Sequence, residues 1–189
     1  MIQVLGRYEY ERSAEYLNLP VDDVYDQILN YKIAIHNYTT RRYVDINSGI
    51  RSGETHEKFT RAVTLLSEAL LWLPVCEEEH VIRHSNLTPE IEAHIHEPGY
   101  IITEPGFTST SRDPNFELHT PCKYKLVIQH IDGRYIGEYS EYPHEDEVLI
   151  PAGASFRVEA YLEEEKTVYL TQLARESIDG DTVVQGEVA

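Results

Sequence analysis

The stretch Tyr139-Ser140-Glu141-Tyr142-Pro143-His144-Glu145-Asp146-Glu147-Val148-Leu149-Ile150-Pro151 passes from a polar, turn-forming half into a short apolar run that a proline closes. The aliphatic residues after Glu147 predict a strand over Glu147 to Ile150. Side chains alternate faces along a strand, so Glu145 and Glu147 are expected to point one way and Asp146 the other. Two carboxylates on one face repel. Such a pair serves a cationic partner, a metal, or a reaction that develops positive charge. A solvated acidic turn is the plain alternative, and the residues upstream bear on the choice.

Working outward, this strand belongs to a β-rich second half. Val81-Ile82, Tyr100-Ile101-Ile102, Lys123 to Ile131, Ser155 to Leu162 and Thr167 to Ala174 are short β-prone runs. Pro98-Gly99, Pro105-Gly106, Asp132-Gly133 and Pro151-Ala152-Gly153 punctuate them. The first half has helical periodicity instead. Val24, Ile28, Tyr31 and Ile35 recur at helical spacing after Pro20 and Asp22-Asp23, which suit a first turn. Phe59, Val63, Leu66, Leu70 and Leu73 form a second stripe that Pro74 stops, with Trp72 read as core. Asn37 to Thr55, with Asn47-Ser48-Gly49 and Ser52-Gly53, reads as a connector between them. Patterning weakens from Ser177, where a frayed end is expected. Helices first and strands afterward predict an α+β fold in one domain over 1–189, helical to about 75 and β from about 80 to 175.

At 189 residues the chain can bury a substantial core without staples. Its 33 acidic against 16 basic residues give a net charge of −17, which excludes nucleic-acid binding by counterion release and attraction to an anionic membrane. A basic protein partner fits better. Cys76 and Cys122 are too few for a disulfide framework and too scattered for a zinc site. The start, Met1-Ile2-Gln3-Val4-Leu5-Gly6-Arg7, lacks the basic head and apolar core of a signal peptide. The apolar stretch around Ala69 to Val75 is too short to span a bilayer. The expected location is therefore cytoplasmic, or inside a host cell after delivery.

Three polar clusters fall in the β half: Arg83 after Val81-Ile82, Ser109-Thr110-Ser111 after Gly106-Phe107, and the glutamate pair. An arginine can grip phosphate or carboxylate in bidentate fashion, and a Ser-Thr-Ser run supplies hydroxyls that orient a carboxylate or sugar oxygens. In this order the three resemble the arginine-serine-glutamate class of mono-ADP-ribosyltransferases. The likeness extends further. Tyr38-Thr39 through Tyr43, Ile46-Asn47 and Ile50-Arg51 resemble that family's tyrosine-threonine, isoleucine-asparagine and leucine-arginine segment. Gly106-Phe107-Thr108-Ser109-Thr110-Ser111 is similar to its glycine, aromatic, serine-threonine-serine strand. Glu145-Asp146-Glu147, followed by Val148 to Pro151 and by Phe156 and Val158, is similar to its glutamate-x-glutamate block. Together these cover about Ile35 to Tyr161. One departure is His84, where the family commonly has glycine after the arginine.

The resemblance implies a helical part packed on a split β-sandwich. It also implies NAD as substrate, with transfer of its ADP-ribose to arginine on a protein target, release of nicotinamide, and no metal. Cleavage of the nicotinamide–ribose bond develops oxocarbenium character, which a carboxylate stabilises as in glycosidases. By the resemblance, Glu147 grips the ribose and steadies that cation, Ser109 orients Glu147, and Arg83 pairs with the phosphates. Thr110 and Ser111 shape the nicotinamide side. Glu145 attracts and deprotonates the acceptor guanidinium, whose pKa lies above about 12. Tyr142 and Pro143 lie on the loop that meets the target. A phage-encoded modifier, a secreted effector and an intracellular toxin all fit this reading.

Three alternatives stand beside it: NAD hydrolysis at the same site, a non-enzymatic NAD-binding module, and a metal-binding jelly roll built on His94-Ile95-His96 with Glu104. Cys76-Glu77-Glu78-Glu79-His80 is read as a charged connector rather than a ligand cluster.

Overall fold

The computed structural model describes residues 2–20, 26–118 and 120–174. The expected helix start at Asp22-Asp23, with Val24, and the expected frayed end from Ser177 lie outside the described residues. The helical part comprises α1 (Ile2–Leu5), α2 (Arg7–Tyr16), α3 (Gln27–Asn37), α4 (Tyr43–Arg51) and α5 (Glu57–Trp72). α3 begins at Asp26, whose carboxylate accepts the Leu29 amide at 3.1 Å, a side-chain N-cap. Its buried face carries Leu29, Ile33 and His36, with Ala34, Ile35 and Asn37 beside them. Ile28, expected in the stripe, is half exposed, so the inward face lies one residue further along.

Two further expectations are corrected here. Asn37 to Thr55 is not an open connector: a turn over Tyr38–Arg42, kinked at Thr40, leads straight into α4. Its breaker residues serve packing. Gly49 lies under the Phe59 ring, where an added Cβ would come within 2.4 Å of a ring carbon, and Asn47 is a buried hydrogen-bonding hub. Trp72 is 38% exposed rather than core, leaning on Tyr31 and Tyr139 at the rim of the helical layer. Leu66, Ala69 and Leu70 form the buried face of α5.

A sixth helix, α6 (Pro89–His94), precedes the second strand. Thr88 caps it, Pro89 starts it, and Ile91 is wholly buried, so a polar-looking segment is folded by one apolar anchor and a good N-terminus. The strands are β1 (His80–Ser85), β2 (Ile101–Glu104), β3 (Thr108–Ser111), β4 (Tyr124–Gln129), β5 (Arg134–Tyr135), β6 (Glu147–Ile150), β7 (Ala154–Leu162) and β8 (Thr167–Gln172). They pair in the order β2-β7-β8-β4-β1-β3-β6-β5. The β4–β8 pair is parallel and the other described pairs are antiparallel.

One apolar cluster holds Ile102 of β2, Phe156 of β7, Val168 of β8, Leu126 of β4, Val81 of β1 and Val148 of β6. Strands far apart in the pairing order thus share a core, so the ladder closes over itself as a sandwich. A second cluster joins Ile35, Leu66 and Leu70 of the helices to Phe107 and Leu149. β6 is consequently buried on both faces. Val148 and Ile150 enter the sandwich, while Leu149 meets the helices and Glu147 shares its side. No helix among the described residues is long and apolar enough to cross a membrane.

Candidate active site

β1, β3 and β6 are neighbours in the sheet although their residues are far apart in the chain. Ile82 pairs with Ser111, and Ser111 with Glu147. This register brings Arg83, Ser109, Thr110, Ser111, Glu145 and Glu147 to one cleft of about 90 Å³, shared with Ile82, His84, Phe116 and Leu118. All six of the strand-borne and turn-borne residues singled out from sequence therefore meet. Tyr142 does not. It stands 43% exposed and lines a separate groove with Thr40, Arg41, Arg42 and Tyr43.

Glu147 is 6% exposed, and Ser109 Oγ donates to its Oε1 at 2.6 Å. Burial pushes its carboxyl up to about 7, and the like charge of Glu145 adds to this, while the Ser109 hydroxyl and the Arg83 guanidinium oppose it. Arg83 donates from Nη1 to the Ser109 carbonyl at 2.9 Å, and its Nε has no hydrogen-bond partner among the described residues. Burial lowers its pKa, with the Glu104 carboxylate acting the other way. Thr110 and Ser111 have engaged hydroxyls: Thr110 donates to the Val148 carbonyl at 2.6 Å, and Ser111 accepts the Asp113 amide at 3.1 Å.

The two glutamates reach the cleft by a route that strand alternation does not describe. β6 begins at Glu147, and Glu145 ends a short 3-10 turn, Pro143–Glu145. Asp146 between them is left-handed, with φ 47°. Its carboxylate accepts from Arg112 Nη2 at 3.2 Å and from the Tyr135 hydroxyl at 3.1 Å, and the Arg112 guanidinium lies 3.9 Å from the Tyr135 ring centre. Asp tolerates this backbone region better than most residues, and the two donors hold it there.

Sequence reasoning missed this support, and it gave no role to the frame behind the cleft, although the resemblance ran through Tyr38, Asn47, Arg51, Gly106 and Phe107. Asn47 donates to the Tyr38 hydroxyl and the Phe107 carbonyl, each at 3.2 Å, and accepts the Phe107 amide at 2.9 Å. Arg51 meets the buried Glu104 through two bonds of 3.1 Å, and Glu104 also accepts the Gly106 amide at 2.8 Å. An added Cβ on Gly106 would lie 2.8 Å from Asn47 Oδ1, so this approach requires glycine. Phe116 and Leu118 were missed too. Their signal was two apolar residues in an otherwise polar loop. His84 fixes that loop, its Nε2 lying 2.9 Å from the Phe116 carbonyl. The carbonyl can only accept, so Nε2 carries the proton in this contact.

The jelly-roll residues are not brought together. Glu104 is buried against Arg51, whereas His94 stacks on Tyr100 beside Glu97. No group of three potential ligands occurs among the described residues. Cys76 donates to Glu78 at 3.0 Å in the connector before β1.

The profile of the ADP-ribosyltransferase exoenzyme family matches residues 28–179, and the chain belongs to that family. Among individual proteins, it is 35% identical over 127 residues to a Mycobacterium avium (strain 104) protein provisionally named NAD(+)–arginine ADP-ribosyltransferase Mav. That match spans 66% of this chain and 15% of the mycobacterial protein. Among solved structures, the Vibrio splendidus ADP-ribosyltransferase Vis superposes with a TM-score of 0.69 at 18% identity, over 95% of this chain and 90% of Vis. The type III effector XopAI of Xanthomonas axonopodis pv. citri gives 0.65 at 19% identity, over 88% and 72% of the two chains. Both structures share the fold.

Proposed function

We propose that the chain moves ADP-ribose from NAD to arginine on a protein target and releases nicotinamide. The observation that carries this reading is the buried Glu147, held by Ser109 and facing the same cleft as Arg83 and Glu145. As the nicotinamide–ribose bond breaks, positive charge develops on the ribose, and a desolvated carboxylate at that point stabilises it far more than one in water would. Arg83 supplies a cation for the diphosphate. The cleft is smaller than the ~300–1,000 Å³ of ordinary ligand sites, so the reacting end of the dinucleotide enters it and the remainder lies along the surface outside. Glu145 stands where the acceptor approaches and takes the proton that a guanidinium must lose to attack. Among the relatives, the name of Mav carries arginine, and Vis has been solved with agmatine, a small guanidine; both support arginine as acceptor.

NAD hydrolysis is the second reading, because water can replace the acceptor at the same site. A catalytically silent NAD-binding module is the third, and His84 beside Arg83 is the feature that favours it. The chain's acidity suits a basic target, and a bacterial toxin or host-delivered effector fits the company of Vis and XopAI. The phage origin gains no support from them. The deciding experiment is nicotinamide release from NAD with and without agmatine. Release should rise with agmatine, vanish in Glu147→Gln, and lose its agmatine dependence but not its hydrolysis in Glu145→Gln. Arginine transfer surviving in Glu145→Gln would remove that residue from the proton-accepting role. NAD binding without release from the wild type would favour the silent module.

A further inference from the structure

The segment just before the glutamate turn is gripped by the helical part. Tyr16 of α2 donates its hydroxyl to the Ser140 carbonyl at 3.2 Å and shares it with the Glu141 carbonyl at 3.3 Å. Its ring stacks on His36 of α3, with centroids 4.3 Å apart. His36, 1% exposed, places Nδ1 3.0 Å from the Tyr139 carbonyl and Nε2 3.4 Å from the Glu141 carboxylate. Thr39 accepts the Glu141 amide at 2.9 Å. Arg12 lies 3.8 Å from the other Glu141 carboxylate oxygen. Side chains from two helices and the turn after them thus hold three consecutive residues, 139–141, more than a hundred positions away in the chain.

From there a relay of short bonds runs to the cleft. The Ser140 hydroxyl accepts the Tyr142 amide at 3.0 Å, and the Tyr142 carbonyl accepts the Glu145 amide at 3.1 Å. Glu147 is anchored differently, by the β3 ladder and Ser109. Asp146 fixes the far end of the turn through Arg112 and Tyr135. The near end depends on the helical grip. The two glutamates consequently have separate supports.

We propose that Tyr16, His36 and Thr39 are positioning residues for the acceptor: they set where Tyr142 and Glu145 stand, and so govern transfer to arginine without governing cleavage of NAD. The proposal rests on the function proposed above. It assigns the N-terminal helices a specificity role in addition to packing. Loss of two such bonds, at about 1 kcal/mol net each, should weaken the placement of Glu145 by roughly thirtyfold and leave Glu147 in register.

The test is the double variant Tyr16→Phe with Thr39→Val, which keeps the stacked ring and the side-chain volume. Two readouts are taken: hydrogen exchange of the peptide 139–146 in the absence of substrate, and agmatine transfer beside NAD hydrolysis. Faster exchange over 139–146, unchanged exchange over 147–150, transfer down about thirtyfold and hydrolysis within about twofold of wild type are expected. Unchanged exchange would overturn the grip. Equal losses of transfer and hydrolysis, or no loss of transfer, would overturn its selective role. Should the wild type release no nicotinamide, the proposed function and this role fail together, and faster exchange in the variant would then identify a purely structural grip.

Discussion

In the proposed reaction Glu147 is the residue on which the chemistry turns, and its burial has consequences for both stability and activity. Its folded pKa, pushed up to about 7, stands above the ordinary 4.5. The folded protein therefore binds this proton more tightly than the unfolded chain does. Below pH 4.5 the group is neutral in both states. As pH rises from there through about 7, the folded state comes to hold a desolvated charge, and stability falls by about 3 kcal/mol. Urea unfolding at pH 5 and pH 8 should show this loss in the wild type and lack it in Glu147→Gln; an equal loss in both would place the titration elsewhere. Activity runs in the opposite direction, since only the ionised carboxylate stabilises the developing cation. The kcat/KM for NAD cleavage should rise with pH and level off above about 7, and in Glu145→Gln the rise should move to lower pH because a neighbouring like charge is gone. Ser109→Ala removes a charge-assisted hydrogen bond worth about 1.5–3 kcal/mol. Cleavage should fall by roughly 10- to 100-fold at pH 7, with the midpoint of the pH profile raised.

Among the elements, β1, β3 and β6 act as a shelf, and α4 acts as the brace behind it. The brace meets the shelf through Asn47 and through the Arg51–Glu104 pair. Glu104 is 1% exposed, so Arg51→Ala would strand a buried carboxylate. Arg51 itself is partly exposed, which places the cost at the lower end of the usual range, about 3 kcal/mol. Chemical denaturation of Arg51→Ala against wild type measures it, and a change under about 1 kcal/mol would mean that water replaces the arginine. The same elements explain what could be read in advance. β6 and β7 were legible because an aliphatic run and an alternating run, each set off by Pro and Gly, leave little choice of conformation. α4 was not, since Asn47, Gly49 and Ser48 look like breakers until Phe107 and Phe59 are present to use them. Glu145 and Glu147 were expected together and are together, but a left-handed Asp146 achieves it, which no local pattern announces. Arg112 and Tyr135, its supports, are remote in sequence and individually ordinary.

For the whole molecule, the change from helical to β periodicity near residue 80 was enough to place the fold class, whereas the pairing order was not. The parallel β4–β8 pair and the insertion of β1 between β4 and β3 are choices made by the shared core. The net charge of −17 acts at this scale as well. A basic protein target should be steered in by the long-range field, which salt screens over about 8–10 Å. Raising ionic strength should therefore lower kcat/KM for transfer to a basic protein while leaving NAD hydrolysis undiminished; loss of both would point to a salt effect on NAD binding.

The adjacency of β1, β3 and β6 carries a further consequence, because it divides the candidate site between two lengths of chain. Everything up to Ser111 supplies the arginine and the serine, and everything from Pro143 onward supplies both glutamates. Severed between Asp113 and Cys122, the polypeptide would yield two pieces, neither with a whole site. Activity on mixing them would report that the ladder between β3 and β6 had reassembled.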